Sequence, residues 1–272
     1  MSNLMLHAGG YKATLHDIQM VSTPTPTRTH TPIPHDWFLN NILESLQANY
    51  GYSVTKQQYG LLGPRGEDFF AVLHMDRTSP NGDYNHVLGL RNSHRQKFSA
   101  QAVLGTSVFI CDNLAFRGND AVMQLARKHT TNIFNDFRSK VDDKLRLLPT
   151  YFADTDNQIA SWKSSSLGSD PDTIRRNAAD ICMTALTRGA TNGHLLPRVW
   201  HEFNRPDGAG GHSCFKEPNR WSLFNAFTEV EKLSDSPLQS QLRTARLSTI
   251  LDGKFTVTPS EPEDPQQLIF NY

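Results

Sequence analysis

The spacing of apolar residues divides the chain into a first helix, a block of strands and a longer helical region. Over residues 35–50 apolar positions recur every three or four residues, which predicts an amphipathic helix with Asp36 as its N-cap. Strand-length runs follow at residues 52–59, 68–75, 84–90 and 107–111, and the last run resumes at 114–116. Glycine-rich and proline-rich turns separate several of these runs, so the pattern predicts about four antiparallel strands.

Helical spacing dominates the second half of the chain. The predicted helices span residues 119–147, 170–189, 195–203, 220–233 and 237–251. Asp170 followed by Pro171 marks one helix start, because aspartate caps helices and proline suits the first helical position. An order of helix, strands and then helices is typical of an α+β fold with a central antiparallel sheet and a C-terminal helical region.

Local composition indicates how the chain is organised. Residues 22–34 contain four prolines and five threonines, which predicts an extended connector. Residues 256–272 contain three acidic residues and no basic residue, which is typical of a loosely held tail. We therefore expect an N-terminal segment and connector at 1–34, one α+β domain at 35–255 and an acidic tail at 256–272.

Hydropathy and cysteine content point to a soluble protein of a reducing compartment. No apolar run approaches the roughly 18–20 residues of a membrane span, and residues 1–10 lack the basic and apolar stretches of a signal peptide. The three cysteines, Cys111, Cys182 and Cys214, lack CxxC spacing, and the first two lie in apolar surroundings typical of core residues. We expect a cytoplasmic protein without a membrane partner.

Charge is balanced over the whole chain but not along it. The 27 basic and 27 acidic residues cancel, whereas residues 77–150 carry 11 basic and 6 acidic residues, a net charge of +5. Much of this excess lies in or near residues 91–98, which we expect to form a loop after a strand. A local basic segment indicates an anionic partner, although an ordinary solvated surface would look the same.

The residues of this segment suit contacts with single-stranded nucleic acid. The predicted contact residues are Arg91, Asn92, His94, Arg95, Lys97, Arg117 and Lys128. Arginine and short amide side chains suit phosphate oxygens, and Phe98 and Phe116 offer rings on which bases can stack. The structural alternative stays open, in which Asn92 and Ser93 cap a turn and Arg91 pairs with Asp112.

Two further sets of polar residues are candidates for a metal or acid–base site. His194, His201, His212 and Cys214 could form a zinc site on paper. Pro197 interrupts the first pair and Cys214 has no CxxC partner, so we predict neither metal nor cofactor. His74, Asp76 and His86 could form an ion or acid–base site, but a cross-strand polar pair is the favoured interpretation. GxSxG, P-loop, HExxH and GxGxxG motifs are absent, so the sequence favours a non-enzymatic protein.

Five segments form a recognisable pattern along the chain: residues 31–35 (TPIPH), 88–98 (LGLRNSHRQKF), 108–118 (VFICDNLAFRG), 128–130 (KHT) and 221–229 (WSLFNAFTE). Together they resemble the domain-of-unknown-function family 932 of phages, prophages and plasmids. The order of these segments over roughly residues 24–251 matches the family, although Arg95 and Gln96 replace an expected acidic residue and lysine. The resemblance implies a mobile-element protein of a bacterial cytoplasm and brings no known activity or catalytic residue.

Two functions are compatible with these observations. The first is non-enzymatic binding of single-stranded nucleic acid during replication, recombination or transfer of a mobile element. The alternative is a protein–protein inhibitor or modulator of a host defence factor. The sequence leaves the oligomeric state open.

Overall fold

The computed structural model describes residues 10–78, 80, 82, 84–108, 114–116, 133–231 and 237–253. Within these ranges the strands are β1 (Tyr11–Ala13), β2 (Val54–Leu62), β3 (Asp68–Thr78), β4 (Tyr84–Ser93), β5 (Gln101–Val108) and β6 (Leu114–Phe116). The helices are α1 (Leu15–Gln19), α2 (His35–Tyr50), α3 (Ile133–Leu145), α4 (Leu148–Ser164), α5 (Pro171–Thr187), α6 (Leu196–Phe203), α7 (Arg220–Glu231) and α8 (Pro237–Leu251). Two short 3-10 turns, Ala209–Gly211 and Ser213–Phe215, lie between α6 and α7.

The strands form one antiparallel meander in which each pairs with its neighbours in the sequence, in the order β1-β2-β3-β4-β5-β6. The α+β class and the antiparallel sheet are confirmed, with six strands instead of about four. Two strand boundaries in the prediction are wrong. β5 begins at Gln101 and not at residue 107. β4 continues to Ser93, because its last three residues pair with β3 and Arg91 also pairs with Gln101 of β5.

One face of the sheet, which we call the inner face, packs against α2, α3 and α4. Phe69, Leu73 and Leu88 lie on this face, and they share one buried cluster with Leu46 of α2 and Phe152 of α4. Side chains alternate between faces along a strand. The intervening residues therefore form what we call the second face.

The strand registers assign the members of the second face. They include Lys12, Lys56, Gln58, Phe70, Val72, His74, Val87, Gly89, Arg91, Gln101 and Val103. Lys12, Gly60, Phe70, Arg91 and Gln101 are consecutive Cα partners, so they form one row across β1 to β5. Val72, Val87 and Val103 are buried, whereas Lys12 and Lys56 are exposed.

Helix α2 starts and ends at residues that explain its length. Its N-cap is Pro34, which makes no side-chain capping bond, so the prediction of Asp36 as the cap is wrong and Asp36 lies in the first turn. Because proline fixes an extended entry and supplies no donor, the helix begins at the next residue. Gly51 ends it with φ +66°, a left-handed conformation that glycine adopts without steric cost.

The C-terminal helices build a second core. Trp162, Trp221 and Phe224 stack or tilt against one another at centroid distances of 4.9–6.3 Å. Every residue of α7 from Trp221 to Thr228 is buried, which makes α7 the central helix of this region. Asp170 caps α5 as predicted, by accepting the backbone N–H groups of Asp172 and Thr173.

Other parts of the predicted helical pattern are only partly described. The predicted helix at 119–147 begins outside the described residues, and its described part is α3, which ends at Leu145. A new helix, α4, starts at Leu148 with a proline in its first turn, where a missing N–H group costs no helical bond. Among the described helices, none combines the length and apolar character needed to cross a membrane.

Candidate nucleic-acid interface

Ser93 shapes the turn that follows β4. Its hydroxyl donates to Asp68 Oδ1 at 2.7 Å and accepts the backbone N–H groups of Arg95 at 3.2 Å and Lys97 at 3.3 Å. These bonds hold Gln96 at φ 58°, the one positive φ among described non-glycine residues. The turn-capping role considered for Ser93 is therefore confirmed, and it fixes where the two basic side chains leave the backbone.

The carboxylate of Asp68 gathers the basic side chains of this turn. Asp68 is fully buried and pairs with the guanidinium of Arg95 and, at 3.7 Å, with Nζ of Lys97. The hydrogen bond that Arg95 donates to Asp68 raises the pKa of Arg95 above its ordinary value. Because the side chains of Arg95 and Lys97 remain 31% and 54% exposed, they can still meet an anion from solvent.

Asn92 and His94 belong to the interior and not to the surface of the turn. Asn92 Nδ2 donates to the Ile33 carbonyl at 2.7 Å and contacts Nδ1 of His35 at 2.9 Å. His94 Nε2 lies 2.9 Å from the same carbonyl, and its ring stacks on His35 at 3.9 Å. These two predicted contact residues therefore tie the connector to β4, in a cluster we call the histidine knot.

The knot also fixes how its side chains are protonated. Since Nδ1 of His35 faces the amide N–H of Asn92, it acts as an acceptor, and its Nε2 carries the proton that bonds Gly66 O at 3.1 Å. Burial lowers the pKa of His94, so its ring is neutral near pH 7. A neutral His94 does not add to the charge of the turn.

Arg91 lies on the second face, opposite Asn92. Its guanidinium carbon is 5.2 Å from the centroid of the Phe98 ring, and Phe98 lies 5.5 Å from Phe70. Arg91 is only 9% exposed, and burial lowers its pKa to about 10, so it remains a cation at neutral pH. The expectation of a loop at residue 91 is wrong, because β4 continues beneath it.

The strands bring together groups that are far apart in the sequence. Lys12, Phe70, Arg95, Lys97 and Phe98 lie around one end of the second face, and we call them the interface patch. Sequence reasoning missed Lys12 and Phe70, although strict alternation along each strand carries that signal once the register is known. Predicted contacts Arg117 and Lys128 lie outside the described residues, as does Asp112.

Residues 27–232 match the family model described as Domain of unknown function (DUF932). The chain belongs to the DUF932 family. The match begins before the histidine knot and ends after α7, so it includes most of both cores and most of the interface patch. Comparison with curated proteins and with solved structures gives no match.

The structure of this DUF932 chain separates the strand residues His74 and His86. His74 lies on the second face, whereas His86 lies on the inner face and bonds Asp156 Oδ1 at 3.0 Å. The same carboxylate accepts the Tyr84 hydroxyl at 2.6 Å and pairs with Arg77 at 3.3 Å. His86 is fully buried in this network, so the structure supports neither a shared ion site nor the favoured cross-strand pairing of His74 with His86.

The described histidines and cysteines of the helical region were candidates for a zinc site. Within the described ranges, no three histidine, cysteine, aspartate or glutamate side chains are arranged to hold a metal ion, His194, His201, His212 and Cys214 included. Cys182 is buried, and burial raises the pKa of its thiol to about 12, which suits the predicted core residue. Cys214 is exposed, and Cys111 lies outside the described residues.

Proposed function

We propose that this chain binds single-stranded nucleic acid through the interface patch and serves the replication, recombination or transfer of a mobile element. The observation that carries the proposal is a pair of partly exposed rings, Phe70 and Phe98, flanked by cations on one sheet face. The mobile-element setting follows from the resemblance to proteins of phages, prophages and plasmids.

Stacking is the first contribution we expect. Phe70 and Phe98 meet at an interplanar angle of 47°, so neither ring stacks on the face of the other. Unpaired bases stack on aromatic side chains with about 1–3 kcal/mol per base, and all four bases can do so. A strand bound in this way would show little sequence preference.

Electrostatic attraction is the second contribution. Residues 63–68 and 91–98 meet at one end of the sheet and carry two carboxylates, Glu67 and Asp68, and four cations, a net charge of +2. The cations are Arg65, Arg91, Arg95 and Lys97. Asp68 is buried beneath its ion pairs, so solvent meets the exposed parts of Arg95 and Lys97. Lys12 adds a cation at the opposite side of Phe70, three strand spacings from Arg91, or about 14 Å.

A salt titration of binding tests the proposal. Fluorescence anisotropy of a labelled single-stranded oligonucleotide is measured between about 50 and 200 mM salt for the wild type and for a Lys12→Ala, Lys97→Ala double variant. Loss of two phosphate contacts should weaken binding to all sequences and reduce the log–log salt slope by about 1.4. Lys12 is exposed, and Asp68 keeps Arg95 and Ser93 as partners when Lys97 is removed, so the variant should melt close to the wild-type temperature.

A charge-matched control separates the patch from general attraction. Arg175 and Arg176 are exposed on α5, and replacing both with alanine removes the same charge from the helical region. This control should retain wild-type affinity and slope. If the wild type does not bind DNA or RNA even near 50 mM salt, the proposal fails, and an interaction with a host protein becomes the better account.

A further inference from the structure

Arg91 is a buried cation whose donors are not fully used. Its solvent-accessible surface is 9% of that of a fully exposed arginine, and its Nε and Nη1 atoms have no hydrogen-bond partner among the described residues. The contact it does make is with the face of the Phe98 ring, which attracts the charge but accepts no strong hydrogen bond. Desolvated charge without a paired anion is among the costliest arrangements in a protein interior.

Gln101 supplies a complementary unpaired group on the neighbouring strand. Arg91 and Gln101 are direct Cα partners in the β4–β5 ladder, so their side chains leave the same face side by side. Gln101 is 2% exposed, and its Oε1 atom also lacks a hydrogen-bond partner among the described residues. A buried donor and a buried acceptor therefore stand next to each other without bonding.

We infer that Arg91 and Gln101 form a receptor for a phosphate monoester or free phosphate, covered by the Phe98 ring. Phosphate oxygens accept hydrogen bonds from a guanidinium, and the hydroxyl of a singly protonated phosphate donates to an amide oxygen. One such group would satisfy both residues together. Asp68, the carboxylate at the next level of this face, is neutralised by Arg95 and Lys97 and so opposes the anion little.

The limited exposure favours a terminal or free phosphate over one within a chain. A backbone phosphate is flanked by two sugars and needs an open groove, whereas a terminal phosphate enters end-on. The exposed cations Arg95 and Lys97 pair with Asp68 at the next level of this face and would attract such an anion. The inference that a strand end occupies this receptor rests on the proposed function, but the receptor for free phosphate does not.

Thermal denaturation with and without phosphate tests the receptor. Inorganic phosphate should raise the Tm of the wild type in proportion to ln(1 + [phosphate]/Kd), and chloride at equal ionic strength should not. Arg91→Met should remove the phosphate response while raising the Tm in phosphate-free buffer, because the unpaired charge is gone. Gln101→Leu should weaken phosphate binding about 2–10-fold, the value of one hydrogen bond.

Arg77 provides a matched control. Its guanidinium also lies over a phenylalanine ring, Phe152 at 4.8 Å, but it is paired with Asp156. Arg77→Met should lower the Tm and leave the phosphate response intact. If Arg91→Met does not fold, calorimetric titration of the wild-type protein with inorganic phosphate still tests the receptor. An absence of binding heat, together with a wild-type Tm that phosphate does not change, would overturn the inference.

Oligonucleotides with and without a 5′-phosphate identify the source of the phosphate. Tighter binding of the phosphorylated strand, lost in Arg91→Met, would assign the receptor to strand ends. Equal binding of both strands, with the phosphate response retained, would assign it to free phosphate. If neither free phosphate nor the 5′-phosphate has an effect while the salt titration still shows strand binding, the receptor is refuted and the proposed function stands.

Discussion

Arg91 and Asn92 are neighbours in β4, yet they leave the strand on opposite faces and meet opposite environments. On the inner face, the Asn92 amide group donates to the Ile33 carbonyl of the connector and to Nδ1 of His35 in α2. On the second face, the Arg91 guanidinium lies against Phe98, and its Nε and Nη1 atoms have no hydrogen-bond partner among the described residues. Unpaired polar atoms occur on both faces of the described sheet, Asn92 Oδ1 included, but on the second face the group concerned is a buried cation, which is costlier to leave without an anion.

The apolar contrast between the two faces is just as clear. Phe69 on the inner face is fully buried in the cluster that joins the sheet to α2. Phe70, its neighbour on the second face, remains partly exposed beside Phe98. A ring that is left in contact with water next to cations is more useful to a ligand than to the core.

The largest effect should come from the inner face. Leu46 of α2 is fully buried, as the helical spacing predicted, and Leu46→Ala should lower the free energy of unfolding by about 2–5 kcal/mol through lost transfer energy and a cavity. Urea denaturation measures this loss. Gln47→Ala, at the next and exposed position, should stay within about 0.5 kcal/mol. Equal midpoints for the two variants would show that α2 does not pack on the sheet as described.

The histidine knot should rank second. Asn92→Ala leaves Nδ1 of His35 buried without its donor, and the expected loss is about 1–3 kcal/mol. Asn49→Ala is the control, since Asn49 makes an exposed bond to Asp142 that water can replace. Denaturation of both variants under the same conditions gives the comparison. A loss at Asn92 no larger than at Asn49 would contradict the structural role of the knot.

Periodicity predicted the elements that depend on local pattern. α2 spans residues 35–50 and α8 spans 237–251, both as expected from apolar spacing. The predicted start of β5, residue 107, lies too far along the chain because Gln101, Ala102 and Gly105 have weak strand propensity. These residues are held in the sheet by their pairing with β4. Propensity is a weak guide wherever neighbouring strands supply the hydrogen bonds.

The candidate site was less predictable, for a related reason. The basic residues at 91–97 were visible in the sequence, but whether each faces solvent depends on where β4 ends. Because β4 continues to Ser93, Arg91 and Asn92 are buried and only Arg95 and Lys97 project from the turn. Lys12 joins them through a pairing of β1 with β2 that spans nearly fifty residues of sequence, beyond the reach of any local pattern.

The smallest expected effect is a pH dependence of the free energy of unfolding that comes from His94 in the histidine knot. His94 has a lowered pKa, chiefly because burial disfavours its charged form, with Asp68 and Glu67 opposing this shift and His30 adding to it. Below about pH 6.5, the ordinary value for histidine, the unfolded chain therefore binds a proton that the folded chain resists. The contribution of His94 to stability should be fully present above that pH and should decline as the pH falls towards the lowered value.

His94→Gln isolates this term from other titrating groups. The glutamine amide can still donate towards the Ile33 carbonyl but does not titrate. The difference in unfolding free energy between wild type and variant, measured by urea denaturation from about pH 8 to about pH 5.5, should shift against the wild type on acidification. A difference that stays constant over this range would mean that His94 is protonated as easily in the folded chain as in the unfolded one, and that the knot is open to water.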